Sequence, residues 1–152
     1  MTDLVGAICD NVPENAVHIA KLRRRGCLVK KQGLPQPNVV VDLDKSELPG
    51  DQLRADFLLI TNEDGGWVVA LELKKGDPKI DHVTRQLQAT ARLVEKWIPA
   101  EKIEKFYAVF ASGRISKRQR RKLRHPRRCV MFRQRRIQIK WMTCGDQLMK
   151  YL

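Results

Sequence analysis

The chain has 152 residues and a mass of 17.6 kDa, enough for one domain with a single core and too short for two. Its 43% hydrophobic and 31% charged content excludes a disordered chain, and with no apolar run of about 18 residues and no basic leader, neither a membrane span nor a secretory signal is expected. Thirty Lys+Arg stand against seventeen Asp+Glu, a net charge of +13, and fourteen of the basic residues lie between Lys105 and Gly145 with no acid among them. The remainder of the chain is close to neutral, so the excess positive charge belongs to the last third and calls for a polyanionic partner, nucleic acid first.

In chain order, Pro13 opens a predicted helix carrying Ala16, Val17, Ile19, Ala20 and Leu22 as far as Gly26. Cys27 to Gln32 reads as a short strand and Val39 to Leu43 as a β-branched one; Lys45 to Gln52, with Pro49-Gly50, reads as a loop. Two strands follow, Leu53 to Thr61 and Trp67 to Lys74, joined by a turn over Asn62 to Gly66. Asp77-Pro78 reads as an N-cap and first helical residue, and Ile80, Val83, Leu87, Ala91, Val94 and Trp97 recur at helical spacing up to Pro99. Phe106 to Ala111 is a buried strand by pattern. Ser116 caps a basic helix ended by Pro126, and Cys129 to Phe132 and Arg136 to Trp141 are closing strands. The order describes an α/β fold around a mixed sheet.

With 62 to 66 as the turn, opposed pairs run from Thr61–Trp67 to Asp56–Glu72, and Lys74 shares the face of Glu72. Two carboxylates and one ammonium converge at one end of a face, while Phe57, Leu59, Trp67, Val69, Leu71 and Leu73 form the apolar opposite face. Carboxylates held this close repel unless a cation joins them, and Mg²⁺ suits one or two carboxylates with waters and phosphate oxygens. The same residues also suit an ordinary cross-strand ion pair, with Asp56 facing water.

Asp56 in RADFLLI, then WVVALELKKG with Glu72-Leu73-Lys74, then a helix containing RQLQATARL, resembles the PD-(D/E)XK nuclease superfamily. The resemblance covers about two thirds of the chain and implies a restriction-endonuclease-like mixed sheet in the order α, β, β, β, α, β, here extended by the basic helix and closing strands. It implies Asp56, Glu72 and the Leu73 carbonyl as ligands of Mg²⁺, with Mn²⁺ substituting, Lys74 as the catalytic lysine and Gln86 as a helix contribution. Ala55 stands in place of the usual Pro, and Thr90 in place of the Tyr of exonuclease branches, which favours endonuclease action. Glu14, Asp42 and Asp44 are further acids whose part in the site the sequence leaves open.

Arg114, Lys117, Arg118, Arg121, Lys122, Arg124 and Arg128 are candidate phosphate contacts. Only Phe132 is aromatic between Arg114 and Arg136, so duplex DNA is expected rather than single strands read by stacking. The segment lacks the apolar face of an interfacial helix, so no membrane is expected, and self-association is left open. The function expected is a metal-dependent DNA endonuclease; the alternative is a nucleic-acid-binding or assembly protein with the fold but without turnover. Cys9, Cys27, Cys129 and Cys144 show no zinc-like spacing with each other or with His18, His82 and His125, and are expected as reduced, mostly buried thiols of a cytoplasmic protein.

Overall fold

A computed structural model describes residues 4–17, 19, 21–35, 38–45, 53–62, 65–99, 102–103 and 105–152. Its elements are α1 (Leu4–Cys9), β1 (Leu22–Arg24), β2 (Cys27–Val29), β3 (Asn38–Asp42), β4 (Phe57–Thr61), β5 (Trp67–Lys74), α2 (Ile80–Trp97), β6 (Lys105–Ser112), α3 (Lys117–Arg124), β7 (Cys129–Phe132) and β8 (Arg135–Thr143), with short 3-10 turns between and after them. Residues 46–52 of the expected loop, positions 63 and 64 of the expected turn, and His18 and Ala20 lie outside the described residues.

Among the described residues the strands form a six-stranded mixed sheet in the order β3-β4-β5-β6-β8-β7 and a separate two-stranded ribbon, β1-β2. The α/β class with a mixed sheet is thus borne out, and the two closing strands, β7 and β8, join that same sheet. β4 and β5 pair antiparallel from Thr61–Trp67 to Phe57–Leu71, the register read from the sequence. β5 and β6 pair in parallel, because α2 carries the chain back between them.

Both sheet faces are covered, which is why β4 and most of β5 are buried along their whole length. On one face Leu58, Ile60, Val68 and Ala70 pack with α1 and with Ile80, Val83, Leu87, Ala91 and Val94 of α2. On the other, Phe57, Leu59, Val69, Leu71 and Leu73 pack with Leu22, Cys27 and Val29 of the ribbon and with Leu148. Gly66 permits the turn into β5: it has φ +107°, and a Cβ there would collide with the Lys102 carbonyl oxygen.

The first predicted helix does not form. Residues 14–16 make a 3-10 turn, and the chain then extends into β1. Arg25 (φ 51°) and Gly26 (φ 78°) are the two central residues of a tight hairpin turn closed by the Arg24–Cys27 pair. Burial of Leu22, Cys27 and Val29 against the sheet, with Arg23 and Leu28 outward, outweighs the helical spacing of the preceding alanines and valine. The helix start is also displaced: α2 begins after Lys79 rather than Asp77. The Asp77 carboxylate accepts the Ser116 backbone N–H at 2.8 Å, and the Ile80 N–H donates to the Gln119 Oε1, so both ends of the 77–80 segment serve to dock α3. Ser116 caps α3 as expected, accepting from the Gln119 N–H.

The expectation of four reduced thiols is corrected. Cys27 and Cys144 are joined in a disulfide across 117 residues, with Cα atoms 5.2 Å apart, while Cys9 and Cys129 are half-buried thiols outside the disulfide. The ribbon and the C-terminal segment run side by side here, through Gly145 N–H to Leu28 O, Lys30 N–H to Asp146 O and Leu148 N–H to Lys30 O. That pairing is invisible to spacing alone. No helix among the described residues is long and apolar enough to cross a membrane.

Candidate active site

The end of the β4–β5 pair gathers the acids. Asp56 sits one residue before β4 and is 3% exposed; its Oδ2 accepts the Leu73 backbone N–H at 2.9 Å, which ties it across to β5. Glu72 is 0% exposed, and neither of its oxygens accepts a hydrogen bond from the described residues. Its carboxyl lies beside that of Asp56, and the pair can share a proton: burial first, then Asp56, pushes Glu72 up to about 9, with Lys74 and Arg25 pulling the other way. Lys74, half-buried, places its Nζ 3.9 Å from Glu72 Oε1. The structure therefore brings Asp56, Glu72 and Lys74 together as the hairpin register required.

The loop before Asp56 is held from α2. Thr90 Oγ1 accepts the Ala55 N–H at 2.7 Å and donates to the Gln86 carbonyl, and Gln86 Nε2 donates to the Arg54 carbonyl at 3.4 Å. Gln86, buried as its helix position implies, reaches the backbone that presents Asp56, and its Oε1 is buried without a hydrogen-bond partner. Thr90 is a positioning residue that the sequence registered only as a departure from a family pattern.

Two arginines of the ribbon complete the cluster, and sequence reasoning missed both because it placed them in a helix. Arg24 bonds Asp42 Oδ1 at 2.8 Å and lies 3.3 Å from Asp44 and 3.5 Å from Asp56. Arg25, at the ribbon's turn, sets one nitrogen 3.5 Å from each Asp56 oxygen, 3.7 Å from Glu72 Oε1 and 3.2 Å from the Leu73 carbonyl oxygen. The sequence signal that was available is Arg25-Gly26 between two short alternating segments, a hairpin pattern. Of the acids the sequence leaves open, Asp42 is 4% exposed and part of this network, whereas Asp44 keeps a half-exposed side chain. Glu14 is exposed in the 3-10 turn.

Asp56, Glu72 and the Leu73 carbonyl form a set of hard oxygen donors, and the buried oxygens of Glu72, which accept no hydrogen bond from the described residues, are what a divalent cation would satisfy. The residues present thus fit such an ion. Among the described residues no group of three or more His, Cys, Asp or Glu side chains is placed to bind a metal by side chains alone. A centre here would draw on the backbone carbonyl and on solvent.

The basic candidates spread over α3 and the segment after it. Arg114, Lys117, Arg118, Arg121 and Arg124 are exposed, and Lys122 and Arg128 are half-buried and paired with Asp81 of α2. Arg121, Lys122, His125, Arg127 and Arg128 line a groove of about 540 Å³. Arg118 and Lys122 also line a second one of about 400 Å³ with Lys79, His82 and Arg85. His82 is held below the ordinary histidine value, by burial first and then by the charges of Lys74, Arg85 and Lys79. Lys79, His82, Arg85, His125 and Arg127 were not among the sequence candidates; they become visible only once α2 and α3 are docked. Trp67 is buried as expected, while Trp97 and Trp141 are partly buried at the core's margin. Comparison of the chain with protein-family models, with curated proteins and with solved structures found no match.

Proposed function

We propose that the chain is a divalent-metal-dependent DNA endonuclease that hydrolyses phosphodiester bonds, with Mg²⁺ as the natural ion and Mn²⁺ able to replace it. The observation that supports this most is the convergence of Asp56, Glu72, the Leu73 carbonyl and Lys74 at the end of one strand pair, where two buried carboxylate oxygens accept no hydrogen bond from the described residues. Asp56, Glu72 and the Leu73 carbonyl would hold the ion, which when bound supplies an activated water and neutralises charge on a phosphodiester. Lys74, anchored beside Glu72, serves to orient the attacking water or to offset charge on a phosphate oxygen. Thr90 and Gln86 keep the Arg54–Ala55 backbone fixed, so Asp56 needs no rearrangement before it acts.

DNA is the substrate this reading selects because Lys79, Arg85 and Arg118 line one groove and Arg121, Arg127 and Arg128 another, the two sharing Lys122, an array of basic side chains that suits the phosphates of a duplex. The aromatic residue of the run, Phe132, is buried and stacked on Phe106, so it offers no platform for single-stranded bases. One observation favours a second reading, that of a nucleic-acid-binding or assembly protein without turnover: the Arg25 guanidinium already stands among the ligand oxygens.

Plasmid cleavage with Mg²⁺ or Mn²⁺, together with duplex binding by fluorescence anisotropy, separates the two. Wild type should cut, Lys74→Ala should lose cleavage with duplex affinity kept within about twofold, since Lys74 acts on the reacting phosphate rather than on the backbone as a whole. Asp56→Asn should lose Mn²⁺ binding by calorimetry. Wild type that binds duplex without cutting it in either ion would overturn the nuclease reading in favour of the second.

A further inference from the structure

The carboxylate cluster carries its own counter-cation, and that cation is not a fixed part of the wall. Asp42, Asp44, Asp56 and Glu72 face Arg24, Arg25 and Lys74. Arg24 is committed to Asp42 by a 2.8 Å bond, and Lys74 is held at the rim beside Glu72. Arg25 differs from both. Its Nη1 touches Asp56 Oδ1 and Oδ2, Glu72 Oε1 and the Leu73 carbonyl at 3.2 to 3.7 Å, and these are the same oxygens that would ligate a divalent ion. These contacts are longer than those of a well-made charged hydrogen bond, and the side chain remains 52% exposed, so it has solvent to swing into. It projects from the two-residue turn of a ribbon that the Cys27–Cys144 disulfide fastens beside the site.

We infer that Arg25 is an internal plug of the metal site: in the metal-free protein its guanidinium lies against the oxygens of Asp56, Glu72 and Leu73 and offsets the charge of the Asp56–Glu72 pair, and a divalent cation must displace it to bind. The inference rests on the metal-binding reading above and adds to it the residue that sets the metal requirement. A guanidinium and a divalent ion cannot both occupy a cradle bounded by the same three groups, because they would repel at contact distance. Displacement leaves Arg25 at the edge of the cluster, free in solvent, while Arg24 and Lys74 keep their partners.

Calorimetric Mn²⁺ titration of wild type, Arg25→Ala, Arg25→Asn and Arg23→Ala tests this. Asn suits the left-handed turn position, so Arg25→Asn guards against a distorted ribbon. Arg23 is exposed on the outward side of β1, so Arg23→Ala removes a nearby positive charge without unplugging anything. Both Arg25 variants should bind Mn²⁺ about tenfold more tightly than wild type, as expected when one competing cation with several partly exposed contacts is removed, and Arg23→Ala by less than about twofold. In ¹⁵N spectra the Arg25 Nε–H signal, identified by its loss in Arg25→Ala, should move to the free-arginine position on addition of Mg²⁺. Equal Mn²⁺ affinity in wild type and both Arg25 variants, a gain no larger than that of Arg23→Ala, or an unmoved Arg25 signal at saturating Mg²⁺ would overturn the plug while leaving the metal site standing. No Mn²⁺ binding in any of the four proteins would overturn the metal reading itself and the plug with it.

Discussion

Replacing Glu72 with glutamine should make the metal-free protein respond less to pH, and the size of the effect follows from the burial of one carboxyl. Glu72 is fully buried, accepts no hydrogen bond from the described residues, and titrates at about 9 against 4.5 for an unperturbed glutamate, because burial and the adjacent Asp56 oppose its charge. The folded protein therefore keeps a proton that the unfolded chain releases above pH 4.5. The stabilisation is whole below that value and is lost as pH rises towards 9. Each pH unit in the window removes about 1.4 kcal/mol, so from pH 5 to pH 8 this single group should withdraw about 4 kcal/mol, a large share of the 5–15 kcal/mol that holds a typical domain. Glutamine has the same shape and no proton to lose. Urea unfolding in chelating buffer at pH 5, 6, 7 and 8 should show Glu72→Gln gaining on wild type by about that amount across the series. Parallel stability curves would refute the placement of Glu72 as a buried, protonated partner of Asp56.

Thr90→Val keeps side-chain volume but leaves the buried Ala55 N–H without its acceptor, so it should destabilise by about 1–3 kcal/mol in urea unfolding; an unchanged midpoint would mean that this bond does not hold the Asp56 loop. The Cys27–Cys144 bridge spans 117 residues, so dithiol reduction or Cys144→Ser should lower stability by about 2–5 kcal/mol. Thiol titration of the denatured, unreduced chain should find two thiols, those of Cys9 and Cys129, and four reactive thiols would contradict the bridge. Charge reversal at Arg118, Arg121 and Lys122 should lower the slope of log affinity for a duplex against log salt by about one per lost phosphate contact, weakening all sequences alike. Lys122 should count for least of the three because Asp81 already holds it at 3.4 Å. Superimposable anisotropy curves would remove α3 from the DNA-binding surface.

The sequence by itself determined those parts of the molecule that are local. Period-two alternation around a turn set the β4–β5 register and hence the meeting of Asp56, Glu72 and Lys74, since side-chain direction in a hairpin follows from turn length alone. Apolar residues at spacings of three and four marked α2, and Ser116 and Pro126 bounded α3, for equally short-range reasons. Residues 13–26 defeated the same reasoning. Their spacing satisfies a helix, and only the sheet face that receives Leu22, Cys27 and Val29 tips the chain into a hairpin instead. From that one long-range decision follow the features that spacing does not encode. Cys27 meets Cys144, Arg24 reaches Asp42 of β3 and Asp56, and Arg25 enters the carboxylate cluster from the far side of the sheet end. The two basic grooves that share Lys122 also waited on the docking of α3 against the start of α2 through Asp77, Gln119 and Asp81. Backbone hydrogen bonding and side-chain periodicity act over a few residues and can be read along the chain, whereas burial and charge pairing between distant segments are decided only when every surface has found what covers it.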